Sequence, residues 1–216
     1  AAAVGRRAAL ALAPKYYEHL GLVVVEYARM WNLRPGDLAG WIAPDGVERL
    51  QAVLAGGRGA VCITGHLGNW ELAGHCLAVN GVPLHALYRP LENPYLDRLL
   101  RRMREQSGMR VYEKRDAVRG MLRVLRAGEA VGLLVDQDGG DAGVFVPFFG
   151  RLASTLPTAA RIARRTGAAI LPVTCYRTRS RSFHRLRVGP EVEQARTGDE
   201  ERDVLITTRN CNRALE

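Results

Sequence analysis

His66 and Glu71 stand five positions apart, an H-x4-E spacing with Leu67, Gly68, Asn69 and Trp70 between them. A histidine beside a carboxylate can act as a base and its orienting partner. That is the minimum equipment for taking a proton from a hydroxyl so that it attacks an acyl carbon. Residues 60–64 form a short apolar run that reads as a buried strand, and residues 72–79 read as a helix. His66 therefore lies on a strand-to-helix turn, where Gly65 and Gly68 supply backbone freedom. On one regular helix the two residues would diverge by about 140°. They can meet if His66 sits on the turn and Glu71 in the first helical turn. The same spacing also fits a surface histidine followed by a glutamate that the helix dipole favours.

Other residues widen the choice of chemistry. His75 shares a helical face with Glu71, which raises a zinc site of His66, Glu71 and His75. There is no H-E-x-x-H and no cysteine at ligand spacing, so no metal is expected, and His75 reads as a packed helix residue. Arg89 follows a strand-like run at 84–88, and Pro90 stops that strand. An arginine at a strand end can grip phosphate or carboxylate with two parallel hydrogen bonds. Arg98, Arg101, Arg102 and Arg104 then crowd one helix, either as a solvated basic face or as a seat for an anionic group. Asp136 and Asp138 follow the strand-like run 131–135, where carboxylates orient a base, bind hydroxyls or simply make a turn. Residues 144–150 are apolar and aromatic, suited to a core strand or to one wall of an acyl-chain groove. No G-x-G-x-x-G, G-x-x-x-x-G-K-[ST] or G-x-S-x-G is present, which removes the support for dinucleotide, P-loop and serine-hydrolase chemistry.

The elements that must position these groups read in two stretches. Residues 1–58 read as an N-terminal helical segment with the potential to associate with a membrane, with helices over 16–31 and 46–54. Residues 59–216 alternate strand and helix. Strands are expected at 61–64, 84–88, 109–112, 131–135, 168–176 and 183–188. Helices are expected at 70–79, 94–106, 116–126 (with Asp116 as N-cap), 155–165 and 201–215. This is an α/β domain with a mostly parallel sheet flanked by helices. Ligands on such sheets sit at the carboxyl ends of the strands, which is where His66 falls.

The bulk composition sets further bounds. The 216 residues, 47% of them hydrophobic, suffice for one globular core. A formal net charge of +9 favours an anionic partner. Only 6% of residues are aromatic and no nucleic-acid motif is present, so nucleic acid is not expected. The four cysteines, Cys62, Cys76, Cys175 and Cys211, are scattered and read as reduced thiols. No apolar run is long enough to span a membrane. The chain begins without Met, which suggests a piece of a longer one.

Five segments in order carry a resemblance: His66-Leu-Gly-Asn-Trp-Glu71, Tyr88-Arg-Pro-Leu-Glu-Asn-Pro94, Arg115-Asp-Ala-Val-Arg-Gly-Met121, Asp136-Gln-Asp138 and Val144-Phe-Val-Pro-Phe-Phe-Gly150. The chain resembles the bacterial lipid A biosynthesis acyltransferases of lauroyl or myristoyl type, a branch of the lysophospholipid acyltransferase superfamily. The resemblance implies transfer of a fatty acyl chain from acyl-carrier protein, or acyl-CoA, to a hydroxyl of a membrane glycolipid or phospholipid. It implies His66 as general base with Glu71 orienting it. Arg104 and Asp136 belong to the implied functional set as substrate-positioning residues rather than proton carriers, with Arg89 and Asp138 as further substrate-binding candidates. It implies no cofactor, an anionic membrane surface as partner, and a place on the cytoplasmic face of the bacterial inner membrane. Related enzymes act on mannosylated phosphatidylinositol. Family members also carry an N-terminal hydrophobic anchor, of which residues 1–13 are a weak remnant, and an aromatic and basic tail beyond the point equivalent to Glu216. A binding module that has lost catalysis is the alternative from another class.

Overall fold

The computed structural model describes residues 5–88, 90–113, 117–180 and 183–216. A long helix, α1 (Arg6–Met30), leads through a 3-10 turn (Pro35–Gly40) into a short strand, β1 (Ile42–Asp45), and helix α2 (Val47–Ala55). Strand and helix then alternate through β2 (Ala60–Thr64), α3 (Trp70–Val79), β3 (Leu84–Tyr88), α4 (Pro94–Gln106), β4 (Arg110–Glu113), α5 (Ala117–Arg126) and β5 (Ala130–Leu134). A hairpin of β6 (Val144–Phe148) and β7 (Arg151–Thr155) follows. The chain continues through α6 (Thr158–Thr166), β8 (Ala169–Arg177), β9 (His184–Val188) and α7 (Glu200–Leu215).

Seven strands make one sheet in the order β1-β9-β8-β2-β5-β3-β4. The five from β8 to β4 run parallel, while β9 is antiparallel to β8 and parallel to β1. Helices cover both faces, so β2 is buried on both sides and reads as a continuous apolar run. Alternate residues still divide between two cores. Cys62, Leu171 and Val173 pack with Leu50 of α2, Leu72 of α3 and Met103 of α4. Val61, Ile63, Val131 and Ile170 pack with Leu125 of α5, Ile162 of α6 and Cys211 of α7. The mostly parallel α/β sheet expected from the sequence is the observed fold.

Three local expectations differ from the structure. Residues before 56 are not all helical: β1 lies among them and pairs with β9. Four residues containing Pro44 are too short to show a period, and Pro44 is tolerated because β1 is an edge strand. The helix expected from residue 155 begins at Thr158, because Thr155 closes β7 against Val144. The run at 144–150 contributes β6 of this two-stranded hairpin rather than a strand of the main sheet. The proposed N-cap Asp116 lies outside the described residues.

Candidate active site

Strands β2 and β5 are neighbours in register, Thr64 opposite Leu134. The ladder continues one step further, with the Val135 N–H donating to the Thr64 carbonyl at 3.0 Å. Residues two positions beyond each strand end therefore face one another, and these are His66 and Asp136. The His66 ring Nδ1 lies 2.9 Å from Asp136 Oδ1, and the His66 backbone N–H donates to Asp136 Oδ2 at 2.6 Å. Both carboxylate oxygens are thus held by one residue. Gly65 makes room for this, since a Cβ there would lie 2.9 Å from Asp136 Oδ2. An Nδ1–H donated to the carboxylate leaves the Nε2 lone pair free to accept a proton. Trp70 packs edge-on against the imidazole, with ring centroids 5.0 Å apart.

The turn between β2 and α3 is held by its own sequence. Gly68 adopts φ +62°, and a Cβ there would meet the Cys175 carbonyl at 1.7 Å, so only glycine fits. Asn69 caps α3, its Oδ1 accepting from the Leu72 N–H at 2.9 Å.

Glu71 is buried in the first turn of α3, and its carboxylate faces α4 rather than His66. Arg104 donates to it twice, Nε to Oε2 at 2.9 Å and Nη2 to Oε1 at 2.5 Å. The Tyr27 hydroxyl lies against the same carboxylate, and burial followed by the Glu71 charge pushes that phenol well above its ordinary range. The Arg104 guanidinium also lies 5.6 Å from the Tyr88 ring centroid. Asn93 caps α4 by accepting from the Tyr95 and Leu96 N–H groups, which starts the helix that carries Arg104 across to α3.

A cavity of about 690 Å³ opens at the carboxyl edge of the sheet and runs along α3. That size lies within the range of about 300–1,000 Å³ usual for small-molecule sites. His66, Glu71 and Arg104 line its polar part, and Leu77, Leu84 and Met109 line its apolar depth. Gly74 and Gly132 also line it, and their missing side chains leave the apolar part open.

The sequence candidates separate as follows. His66 and Asp136 touch, and Glu71 and Arg104 form a second pair on the same cavity. Asp138 instead closes a turn, accepting from the Gly140 N–H at 3.0 Å. Arg89 lies outside the described residues. His75 is buried, and burial lowers its ring from the ordinary value of 6.5, which disfavours the charged form of this packed residue. Among the described residues no group of three or more His, Cys, Asp or Glu could hold a metal. Tyr27 and Trp70 were not singled out from the sequence. Trp70 sits inside the quoted motif, but nothing in the helical period of α1 distinguishes Tyr27 from a core residue.

A family profile described as bacterial lipid A biosynthesis acyltransferase matches residues 7–216. The chain is 32% identical over 180 residues to a lipid A biosynthesis palmitoleoyltransferase of Escherichia coli (strain K12), covering 82% of this chain and 58% of that protein. It is 30% identical to a lipid A biosynthesis lauroyltransferase of the same organism, covering 73% of this chain and 52% of the relative. A phosphatidylinositol mannoside acyltransferase of Mycolicibacterium smegmatis is also 30% identical, covering 71% of this chain and 54% of its own length. The chain thus spans about half the length of the curated relatives it matches. By the match across nearly its whole length, the chain belongs to the bacterial lipid A biosynthesis acyltransferase family.

Proposed function

We propose that the protein is an acyltransferase that moves a fatty acyl chain from the thioester of acyl-carrier protein or acyl-CoA to a hydroxyl of a membrane glycolipid such as a lipid A precursor. The observation that carries this reading is the His66–Asp136 pair at the mouth of a cavity with apolar depth. In the reaction, Nε2 of His66 takes the proton of the acceptor hydroxyl while its oxygen attacks the thioester carbonyl carbon. The carbon–sulfur bond then breaks, and the leaving thiolate takes the proton back from the imidazolium. Asp136 holds the ring in the required tautomer and stabilises its positive charge. Glu71 supports the base indirectly: paired with Arg104, it fixes the start of α3 and one wall of the cavity.

A basic chain suits an acidic carrier protein and a phosphorylated lipid at an anionic surface. Among the described residues no helix is long and apolar enough to cross a membrane. The exposed Leu10, Leu12, Tyr16 and Tyr17 of α1 suit peripheral attachment, in this reading at the cytoplasmic face of the inner membrane. The Mycolicibacterium relative favours a second reading, in which a phosphatidylinositol mannoside or another phospholipid is the acceptor. The test is incubation with labelled acyl-carrier protein or acyl-CoA and extracted membrane lipid, followed by mass spectrometry. An acylated glycolipid supports the first reading and an acylated phospholipid the second. Lipid binding without product points to the non-catalytic alternative.

A further inference from the structure

Glu26 is only 6% exposed, although its neighbours Val24 and Val25 on α1 are 65% and 55% exposed. A carboxylate is rarely buried unless it is paired. Arg177 of β8 donates to both of its oxygens, with the Nη2–Oε2 distance 3.0 Å. Nδ2 of Asn69 donates to Oε2 at 2.9 Å, and Nε2 of His184 stands 3.4 Å away. Asn69 is completely buried and lies three residues after His66. Its amide is fixed at both ends, with the oxygen capping α3 and the nitrogen on Glu26.

From this connection we infer that Glu26 is a positioning residue for the His66 turn, acting through Asn69. An apolar contact would hold α1 on the sheet equally well. With its two oxygens the carboxylate accepts from both Arg177 nitrogens and from Asn69 at once. The turn also runs close to β8, where a Cβ on Gly68 would strike the Cys175 carbonyl. Tyr27, the next residue of α1, touches Glu71 and meets Trp70 edge-on at 6.3 Å, and Trp70 in turn packs on His66. Helix α1 thereby contacts the turn at Asn69, Trp70 and Glu71.

The inference rests on His66 as the base, so its test includes a readout that needs no turnover. Glu26→Gln keeps the size but removes the charge opposite Arg177 and turns one acceptor oxygen into a donor, so at least one of the three N–H groups from Arg177 and Asn69 loses its acceptor. Glu26→Asp keeps the charge opposite Arg177 but withdraws by one methylene from Asn69. Asp203→Asn serves as a stability control, because it breaks the pair between the buried Asp203 of α7 and Arg164 of α6, outside the site. The measurements are kcat, KM, melting temperature and the NMR chemical shifts of the His66 ring nitrogens, which report the Nδ1 contact with Asp136. Glu26→Gln is expected to lower kcat about 10- to 100-fold with KM within about twofold, as small misplacements of a base do. Its His66 ring signals should move as the Asp136 contact loosens. Glu26→Asp should fall between it and wild type, and Asp203→Asn should change only the melting temperature. A folded Glu26→Gln with wild-type kcat and wild-type ring signals overturns the inference. If Glu26→Gln does not fold, Glu26→Asp decides on the same ring signals, and unmoved signals overturn it. If no variant or wild type transfers acyl groups, the ring signals still read the inference while the proposed function fails.

Discussion

At the scale of single residues, the candidate site divides into two pairs to which the proposed mechanism gives different work. His66 and Asp136 are partly exposed and sit where substrate can reach them, so they suit chemistry. Glu71 and Arg104 are largely buried, with side-chain exposures of 8% and 16%, so they suit construction. Asp136→Asn should therefore lower kcat by about 10²-fold with little change in stability, because it removes the charge that stabilises the imidazolium. Steady-state kinetics beside a thermal melt checks this. Glu71→Gln should behave in the opposite sense, destabilising the fold by about 3–5 kcal/mol, because Arg104 is left buried without its charge partner. Urea unfolding measures that directly. The H-x4-E spacing singles out His66 and Glu71, but the structure pairs His66 with Asp136 and Glu71 with Arg104. Sequence distance hides that β5 lies beside β2, so Asp136, seventy positions away, is nearer to the imidazole than Glu71.

At the scale of elements, the legible parts were those with a strong period and a clear stop. Helix α6 shows Pro157 before it and Gly167 after it, and strands β2 and β8 show as apolar runs. Strand β1 and the partner strand β7 did not show, because four or five residues with exposed faces carry no period and their pairing is tertiary. The turn from β2 to α3 is the element on which the site depends. Gly68→Ala should displace it, since the added Cβ would strike the Cys175 carbonyl and the positive φ disfavours alanine. The expected outcome is loss of most transfer activity in a protein that still folds, checked by kinetics and circular dichroism. Strand β5 gives a prediction about specificity. Gly132→Leu should fill the apolar end of the cavity and shift preference toward shorter acyl chains, read by competition between donors of different length.

At the scale of the whole molecule, buried titratable groups set a pH window for stability. His75, His85 and His184 are each under 5% exposed, and burial drives all three rings below the ordinary value of 6.5. The unfolded chain binds protons there that the folded chain does not, so stability is lost as pH falls below about 6.5. Burial acts the other way on the thiols, pushing Cys62, Cys175 and Cys211 up to about 12 from an ordinary 9.0. Their contribution is present below about 9 and lost as pH rises above it. The melting temperature should form a plateau between these limits, checked by scanning calorimetry across pH. The central claim, however, is that His66 takes the acceptor proton. The most direct test is acyl transfer by wild type and His66→Ala in parallel, from labelled acyl-carrier protein to membrane lipid, with both proteins shown to be folded. A drop of about 10²- to 10⁴-fold in kcat is the predicted result. Retention of most of the wild-type rate by His66→Ala would contradict the account.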